Sequence, residues 1–244
     1  MGRILSFIYG MVAYIIFLGS FLYAIAFVGD FWVPKTINAG PEAESLWQAL
    51  LVNAGLLGLF AVQHSVMARQ GFKEWWTKMI PKPIERSTYV LLSSLILILL
   101  FWQWRPVPEV IWSVEAGVGQ AALTGLFWLG WGIVLLSTFM INHFDLFGLR
   151  QVYLHLRDKE ITPVKFKEPG LYKYLRHPLM LGFIIAFWAT PYMTLGHLVF
   201  SIATTGYIFV GIWFEERDLI RHHGEKYKKY RERVRMLVPF PRKS

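Results

Sequence analysis

Two pairs of charged residues stand at the ends of a long apolar stretch in the C-terminal part of the chain. Arg176 and His177 precede this stretch, and Glu215 and Glu216 follow it. Charged groups this close to a hydrocarbon boundary are costly, so we expect them to have a function. Arg and His can bind an anionic group, and paired glutamates can bind an ammonium group or hydroxyls. The set predicts a binding site for a ligand that carries both signs of charge.

Aromatic residues follow the glutamates in a basic segment. Tyr227, Tyr230 and Arg231 fall on one side of a helix predicted over Glu215–Val234, as a lid over a pocket would require. Aromatic faces attract rings and cations. A ligand with a carboxylate, an amine, a ribose and a purine fits these groups, and S-adenosylmethionine is such a molecule. NADPH would use some of them, but its phosphates would prefer more basic residues, and no G-x-G-x-x-G motif is present.

Polar residues near the ends of two other apolar stretches could act on a proton. His64 ends the second stretch, and Asn53 lies on nearly the same helical face, which should look into the bundle rather than at lipid. His143 and Asp145 follow the fourth stretch. His64 and His143 are candidate proton acceptors or, alternatively, hydrogen-bonded structural histidines. Asp145 either orients one of them or caps a turn.

The composition excludes several chemistries. The chain has no cysteine, so it has no disulfide, no thiolate nucleophile and no thiolate metal ligand. His222 and His223 with a glutamate could in principle bind a metal ion, but adjacent histidines point about 100° apart on a helix. We therefore expect no metal site.

Six apolar stretches must position these groups. Of the 244 residues, 55% are hydrophobic and 17% are charged, which is less charge than a soluble domain of this length carries. The sequence predicts an all-α fold, a polytopic integral membrane bundle of about six helices with a cytoplasmic C-terminal helix. The predicted spans are Leu5–Val28, Leu46–Val62, Thr88–Trp104, Ala121–Ile141, Leu179–Leu195 and Leu198–Phe214.

The last two spans are predicted to form a hairpin that turns at Thr190-Pro191-Tyr192. A hairpin returns the chain to the side it left, so we expect Arg176 and His177 beside Glu215 and Glu216. The whole chain, 1–244, is interpreted as one domain. In this interpretation residues 1–141 form a helical platform, and residues 142–244 form the cofactor-binding and catalytic core.

The distribution of Lys and Arg predicts the orientation. The loops after the second and fourth spans and the C-terminal tail are rich in Lys and Arg, whereas Lys35 and Arg105 stand alone in the first and third loops. This alternation predicts a multi-pass protein of a bacterial inner membrane with both termini and the active site on the cytoplasmic side. The net charge of +9 then reflects topology and contact with membrane lipids, and we expect no nucleic-acid partner.

The motifs together carry a family resemblance. Tyr172-x3-Arg176-His177-Pro178-x3-Gly182, then Glu215-Glu216-x2-Leu219, then Gly224-x2-Tyr227-x2-Tyr230 and Pro239, is similar to the C-terminal core of the isoprenylcysteine carboxyl methyltransferase superfamily. Many prenylcysteine enzymes of that superfamily have Tyr where this chain has Met180. This difference argues against a prenyl substrate.

The full length resembles a narrower group, the NnrU-like membrane proteins, which includes enzymes that methylate methanethiol. The segments that carry this resemblance are Gln63–Arg69, Glu85–Tyr89, Asn142–Gln151, Arg176–Gly182 and Trp188–Pro191.

The resemblance implies methyl transfer from S-adenosylmethionine to methanethiol, a small volatile thiol that reaches the site through lipid. Such a transfer needs a positioned thiolate and hence a proton acceptor or an electropositive pocket. By the resemblance His64, His143 and Asp145 serve the substrate. The cofactor residues implied are Tyr172, Arg176, His177, Pro178, Glu215, Glu216, Tyr227, Tyr230 and Arg231.

Three further functions are compatible with the sequence. A methyltransferase of the same superfamily could act on another small thiol or on a lipid-like substrate. A sterol-reductase-like member would bind NADPH instead. A non-enzymatic NnrU-like protein would support nitrogen-oxide metabolism, but transport would predict an inverted repeat, and none is visible in the sequence.

Overall fold

The computed structural model describes residues 2–41, 43–162 and 167–238, and helices dominate this part of the chain. Pro239, the last residue of the C-terminal motif, lies outside the described residues. A 3₁₀ turn covers Gly170–Lys173, and two short strands, β1 (Val110–Ser113) and β2 (Tyr192–Thr194), pair with each other. The helices are α1 (Arg3–Gly29), α2 (Leu46–Ala68), α3 (Gln70–Trp76), α4 (Lys82–Gln103), α5 (Val118–Ile141), α6 (His143–Leu146), α7 (Leu149–Leu156), α8 (Pro178–Trp188), α9 (Leu195–His223) and α10 (Glu225–Arg233).

Five of the described helices are long and apolar enough to cross a bilayer: α1, α2, α4, α5 and α9, each of 22 residues or more. Large apolar side chains on them are exposed, among them Ile15, Leu51 and Phe139, as expected for surfaces that face lipid. The prediction of an all-α integral membrane protein is therefore confirmed.

Local signals set where helices begin. The hydroxyl of Ser45 accepts a hydrogen bond from the Gln48 amide and caps α2, which runs to Ala68 and so includes His64. Pro83 and Pro178 occupy the first turns of α4 and α8, where the missing N–H of proline costs nothing.

The chain divides into two compact units, each described by itself. The first unit comprises Met1–Glu109, Asn142–Pro163 and Thr194–His197, and the second comprises Val110–Ile141, Val164–Met193 and Leu198–Ser244. One break between the units falls between Ile141 and Asn142, as predicted, but the segments of the two units alternate along the chain instead of separating into 1–141 and 142–244. The assignment of a single domain with its core at 142–244 stays a prediction.

In the first unit, α1 packs on α4 and α7, and α2 packs on α4. Gly148, between α6 and α7, has φ of +86°, and a Cβ there would lie 2.7 Å from the Ser87 amide nitrogen. Only glycine suits this position, because the backbone is left-handed and the neighbouring chain is in contact. This contact fixes how the chain leaves the segment that holds His143 and Asp145.

In the second unit, α8 and α9 form the predicted hairpin. Ile208 and Ile212 of α9 pack against Met180 and Ile184 of α8. Towards the turn, the Trp188 indole donates to the Thr205 hydroxyl. The residue numbers fall in α9 as they rise in α8, so the two helices are antiparallel, and the predicted hairpin is confirmed.

Helix α8 is shorter than its predicted span, because it ends at Trp188 instead of continuing to Leu195. Its 11 residues cover only about 16 Å. The chain around α8 nevertheless follows α5 from end to end. The Leu171 amide contacts the Met140 sulfur at 3.4 Å near one end of α5, and the Val114 amide donates to the Pro191 carbonyl before the other end. Residues 171–191 therefore run the length of a spanning helix, partly as non-helical chain.

Candidate active site

A buried ion cluster joins the two ends of the hairpin in the second unit. Nε of Arg176 donates to Oε1 of Glu216 at 2.7 Å, and these side chains are 11% and 13% exposed. The guanidinium of Arg231 lies 3.7 Å from the other oxygen of Glu216. Arg176 and Glu216 are thus close together, as predicted. The carboxylate of Glu216 contacts the guanidinium groups of both Arg176 and Arg231.

His177 is the most buried member of this cluster, with a side chain 3% exposed. Its Nε2 lies 3.1 Å from Oε1 of Glu216, and its Nδ1 lies 3.5 Å from Oε2 of Glu215. Burial lowers the pKa of His177, but hydrogen bonds and charge from the two glutamates raise it more, so the net pKa is raised above the ordinary value. The two glutamates therefore favour the protonated form of the imidazole.

The C-terminal segment is tied onto the start of α8. Nη1 of Arg176 donates to the carbonyls of Arg231 and Val234, at 3.1 and 2.5 Å. The backbone amides of Arg176 and His177 donate to the carbonyls of Arg235 and Met236. Arg176 is consequently committed to internal partners, and its side chain holds the end of α10 in place.

The tyrosines of α10 face inward beneath this connection. Tyr227 and Tyr230 are buried with Val234 and pack against Leu219, and the Tyr230 hydroxyl donates to the Tyr172 carbonyl at 2.7 Å. Burial, followed by the charge of Glu168, raises the pKa of Tyr230 to about 12. Burial, followed by the charges of nearby glutamates, also raises the pKa of Tyr172 and of Tyr227. All three phenols therefore remain protonated donors at neutral pH.

Two members of the cluster are available to a ligand. Glu215 and Arg231 have side chains 47% and 50% exposed, and their contacts at 3.5 and 3.7 Å are the longest in the cluster. They present a carboxylate and a guanidinium next to the buried side chains of His177 and Glu216. The donor set fits S-adenosylmethionine, which carries a carboxylate, an ammonium group and ribose hydroxyls. Pro178, also predicted to bind the cofactor, is fully buried at the first position of α8.

His64, in the first unit, is held on both ring nitrogens. Its Nε2 lies 2.8 Å from the Tyr89 hydroxyl, and its Nδ1 lies 3.3 Å from the Ser93 hydroxyl. The ring of Phe60 stacks on it at 5.1 Å. Asn53, on the same face, is buried and exchanges two hydrogen bonds with the Arg105 backbone, at 2.7 and 2.9 Å. The inward polar face of α2 is therefore present, and Asn53 anchors the chain after α4.

His143 is buried at 6% exposure in the short helix α6. Its Nε2 lies 2.8 Å from the Tyr14 hydroxyl, and the ring meets Phe147 edge-on at 4.8 Å. Burial lowers the pKa of His143 below its ordinary value. The imidazole is therefore neutral at neutral pH and able to accept a proton.

Asp145 does not orient a histidine among the contacts of the described residues. Its carboxylate accepts from Arg150 at 2.9 Å and from Gln151 at 3.3 Å. The residue that caps α6 is Asn142, whose side chain accepts from the Asp145 amide. The carboxylate of Asp145 therefore connects α6 to the first turn of α7.

Sequence reasoning missed the tyrosine partners of both histidines. Tyr14 lies in the middle of α1, and the only available signal was a hydroxyl within an apolar helix. Tyr89 belongs to the Glu85–Tyr89 segment, which carries the family resemblance but suggests no role by itself. Both partners come from other helices, so spacing along the chain does not reveal them.

The five long apolar helices define an integral membrane protein, and its C-terminal segment carries the ionic cluster of Arg176, His177, Glu215 and Glu216. The NnrU protein family model matches residues 51–239, and this chain belongs to the NnrU family. The predicted resemblance to NnrU-like proteins is therefore confirmed. No solved structure matches the chain.

Several relatives have the same name, methanethiol S-methyltransferase. Methanethiol S-methyltransferase of Mycobacterium tuberculosis is 59% identical over 241 residues, covering 99% of this chain and 98% of the relative. The protein of the same name from Crocosphaera subtropica is 56% identical and covers 98% of this chain and 94% of its own length. Methanethiol S-methyltransferase 1 of Bradyrhizobium diazoefficiens is also 56% identical, over 98% of this chain and 84% of its own.

Proposed function

We propose that this protein is an S-adenosylmethionine-dependent methyltransferase that converts methanethiol to dimethyl sulfide in the membrane. The supporting observation is the identity of 50–59% to proteins named methanethiol S-methyltransferase over most of the chain. The five long apolar helices agree with a substrate that dissolves in lipid. S-adenosylhomocysteine and one proton per methanethiol are the other products of the reaction.

The C-terminal cluster is proposed to hold the cofactor. Arg231 and His177 suit its carboxylate, and Glu215 suits its ammonium group or ribose hydroxyls. Glu216 and Arg176 keep these side chains in position through the contacts described above. Tyr172, Tyr227 and Tyr230 support the pocket from within. When bound, S-adenosylmethionine supplies the methyl group as a methylsulfonium cation.

The first unit is proposed to prepare the thiol. A small alkanethiol is mostly protonated at neutral pH, as the ordinary thiol pKa of about 8.5 in cysteine indicates. A positioned base that removes the proton contributes roughly 10²- to 10⁴-fold in rate. His64 and His143 are the candidates, and each already has a hydroxyl partner at 2.8 Å.

We also propose that both termini and the cofactor residues lie on the cytoplasmic side. The loops rich in Lys and Arg support this orientation. It needs an even number of crossings, and residues 178–191, which begin with α8 beside α5, supply the sixth.

Headspace gas chromatography tests the proposed function. Protein in liposomes is incubated with S-adenosylmethionine and methanethiol, with Glu216→Ala beside it and Asp218→Asn, two residues further along the same helix, as a matched control. Dimethyl sulfide from the wild type and from Asp218→Asn, and its loss in Glu216→Ala, is the expected result.

Cofactor binding by the wild type distinguishes the remaining functions if no dimethyl sulfide forms. An inactive wild type that binds S-adenosylmethionine would point to another thiol or a lipid-like substrate. Binding of NADPH instead would indicate a reductase. Binding of neither cofactor would indicate a membrane protein without enzymatic activity.

A further inference from the structure

The two histidines of the first unit, His64 and His143, differ in the exposure of the hydroxyl groups that hydrogen-bond to their rings. The Ser93 hydroxyl donates to the Gln63 carbonyl oxygen at 3.2 Å, so towards His64 it can only accept. With this donation, Nδ1 of His64 carries the proton that Ser93 accepts, and Nε2 accepts from the Tyr89 hydroxyl. Both ring nitrogens of His64 therefore have partners, and its partner Tyr89 is only 6% exposed.

The hydrogen-bond partner of His143 is more exposed than that of His64. The hydroxyl of Tyr14 lies 2.8 Å from Nε2, and Tyr14 is only partly buried whereas His143 is 6% exposed. Tyr14 is therefore the more exposed member of this hydrogen-bonded pair. A phenol that donates its proton to Nε2 still has lone pairs that accept another hydrogen bond.

The residues around Tyr14 are apolar and suit an apolar substrate. Met11 and Leu18 lie three and four residues away on the same face of α1, and they are 36% and 41% exposed. An exposed apolar face on a spanning helix is in contact with lipid. A thiol dissolved in the bilayer therefore meets an apolar surface on both sides of Tyr14.

We propose that Tyr14 is a catalytic residue that relays the thiol proton to His143, an inference that rests on the proposed function. The S–H bond of methanethiol breaks as its proton passes to the oxygen of Tyr14, and the O–H proton of Tyr14 passes to Nε2 of His143. The thiolate then forms a new S–CH3 bond as the methyl–sulfonium bond breaks, which leaves dimethyl sulfide and neutral S-adenosylhomocysteine. The imidazolium of His143 releases the extra proton to water, and the relay is restored.

The test compares Tyr14→Phe with Tyr9→Phe, a matched tyrosine on the same helix whose hydroxyl donates to Thr88 at 3.0 Å. Methylation of methanethiol should fall about 100-fold in Tyr14→Phe, the lower end of the range for proton transfer. Tyr9→Phe should keep the wild-type rate. Equilibrium binding of S-adenosylmethionine should be unchanged in both variants.

A more acidic thiol, 2,2,2-trifluoroethanethiol, separates catalysis from structure. Because this thiol ionises without help, Tyr14→Phe should lose much less activity on it than on methanethiol. Equal losses on both thiols, or a wild-type rate in Tyr14→Phe, would overturn the relay. If Tyr14→Phe fails to bind S-adenosylmethionine, 3-fluorotyrosine at position 14 replaces it, and an unchanged rate would again overturn the relay. A wild type that methylates neither thiol refutes the proposed function itself.

Discussion

Arg176 and Glu216, 40 residues apart, form a nearly buried ion pair with 2.7 Å between Nε and Oε1. The pair connects the start of α8 to the end of the apolar part of α9, so it closes the open end of the hairpin. Glu216 also accepts from His177, and Arg176 also donates to the end of α10. One carboxylate therefore organises three segments of the second unit.

Replacing Glu216 by Ala should destabilise the protein and weaken S-adenosylmethionine binding. The change leaves the side chains of Arg176 and His177 without their shared acceptor, and breaking a buried pair in this way costs about 3–5 kcal/mol. The free energy of unfolding in detergent and the dissociation constant of the cofactor measure the two effects. Asp218→Asn, two residues along the same helix, is the control, and its 39% exposed side chain should tolerate the change. Equal stability of the two variants would contradict the prediction.

The raised pKa of His177 predicts a pH-dependent contribution to stability. The folded state binds the proton more tightly than the unfolded state, whose histidine has the ordinary pKa of about 6.5. The stabilisation is full below that ordinary value while the glutamates stay ionised, and it is lost as pH rises through the raised pKa. The difference in unfolding free energy between wild type and His177→Gln should thus be larger at about pH 6 than at about pH 9. If the difference in unfolding free energy grew with pH instead, the folded state would not favour the protonated form of His177.

The hairpin and its charged ends could be predicted from the sequence because they depend only on neighbouring segments of the chain. Two apolar stretches with a Thr-Pro-Tyr turn between them must return, and the return places Arg176 beside Glu216 whatever the remaining helices do. The inward face of α2 was predictable for the same reason, since Asn53 and His64 share a helical face.

Other features of the site depend on contacts between distant segments. The early end of α8 at Trp188 is accompanied by pairing of the following residues with β1, and nothing in the apolar pattern indicates that pairing. The commitment of Arg176 to backbone carbonyls of α10 requires the folded tail. The tyrosine partners of His64 and His143 come from α4 and α1, so they too appear only in three dimensions.

Close packing of α5 on α8 predicts a severe effect of adding one methyl group at Gly130. A Cβ at this position would lie 2.6 Å from the Ala186 amide nitrogen and 2.7 Å from the Gly182 carbonyl oxygen. Both are backbone atoms, so the helices must separate, and overpacking of this kind costs about 1–3 kcal/mol. Thermal unfolding of Gly130→Ala in detergent measures the loss.

Gly132, on the same helix α5, provides the control for that substitution. A Cβ there has nothing within 4 Å, and alanine is the better helix former. Gly132→Ala should therefore be neutral or slightly stabilising. If both variants lost the same stability, the effect would come from the helix itself and not from its contact with α8.

Replacing Asp145 by Asn distinguishes its two interpretations, an orienter of a catalytic histidine or a connection between α6 and α7. The carboxylate accepts from Arg150, whose Nη1 also donates to the Thr162 carbonyl, so the pair fixes the loop after α7 as well. These side chains are 26% and 24% exposed, and loss of the charged hydrogen bond should cost about 1 kcal/mol of stability. Methylation per folded molecule should change less than about threefold, because a hydrogen-bonded orienter of a base would contribute more than this. Methylation rates of Asp145→Asn and His143→Gln decide the question. If the rate fell equally in both variants, Asp145 would orient the catalytic histidine.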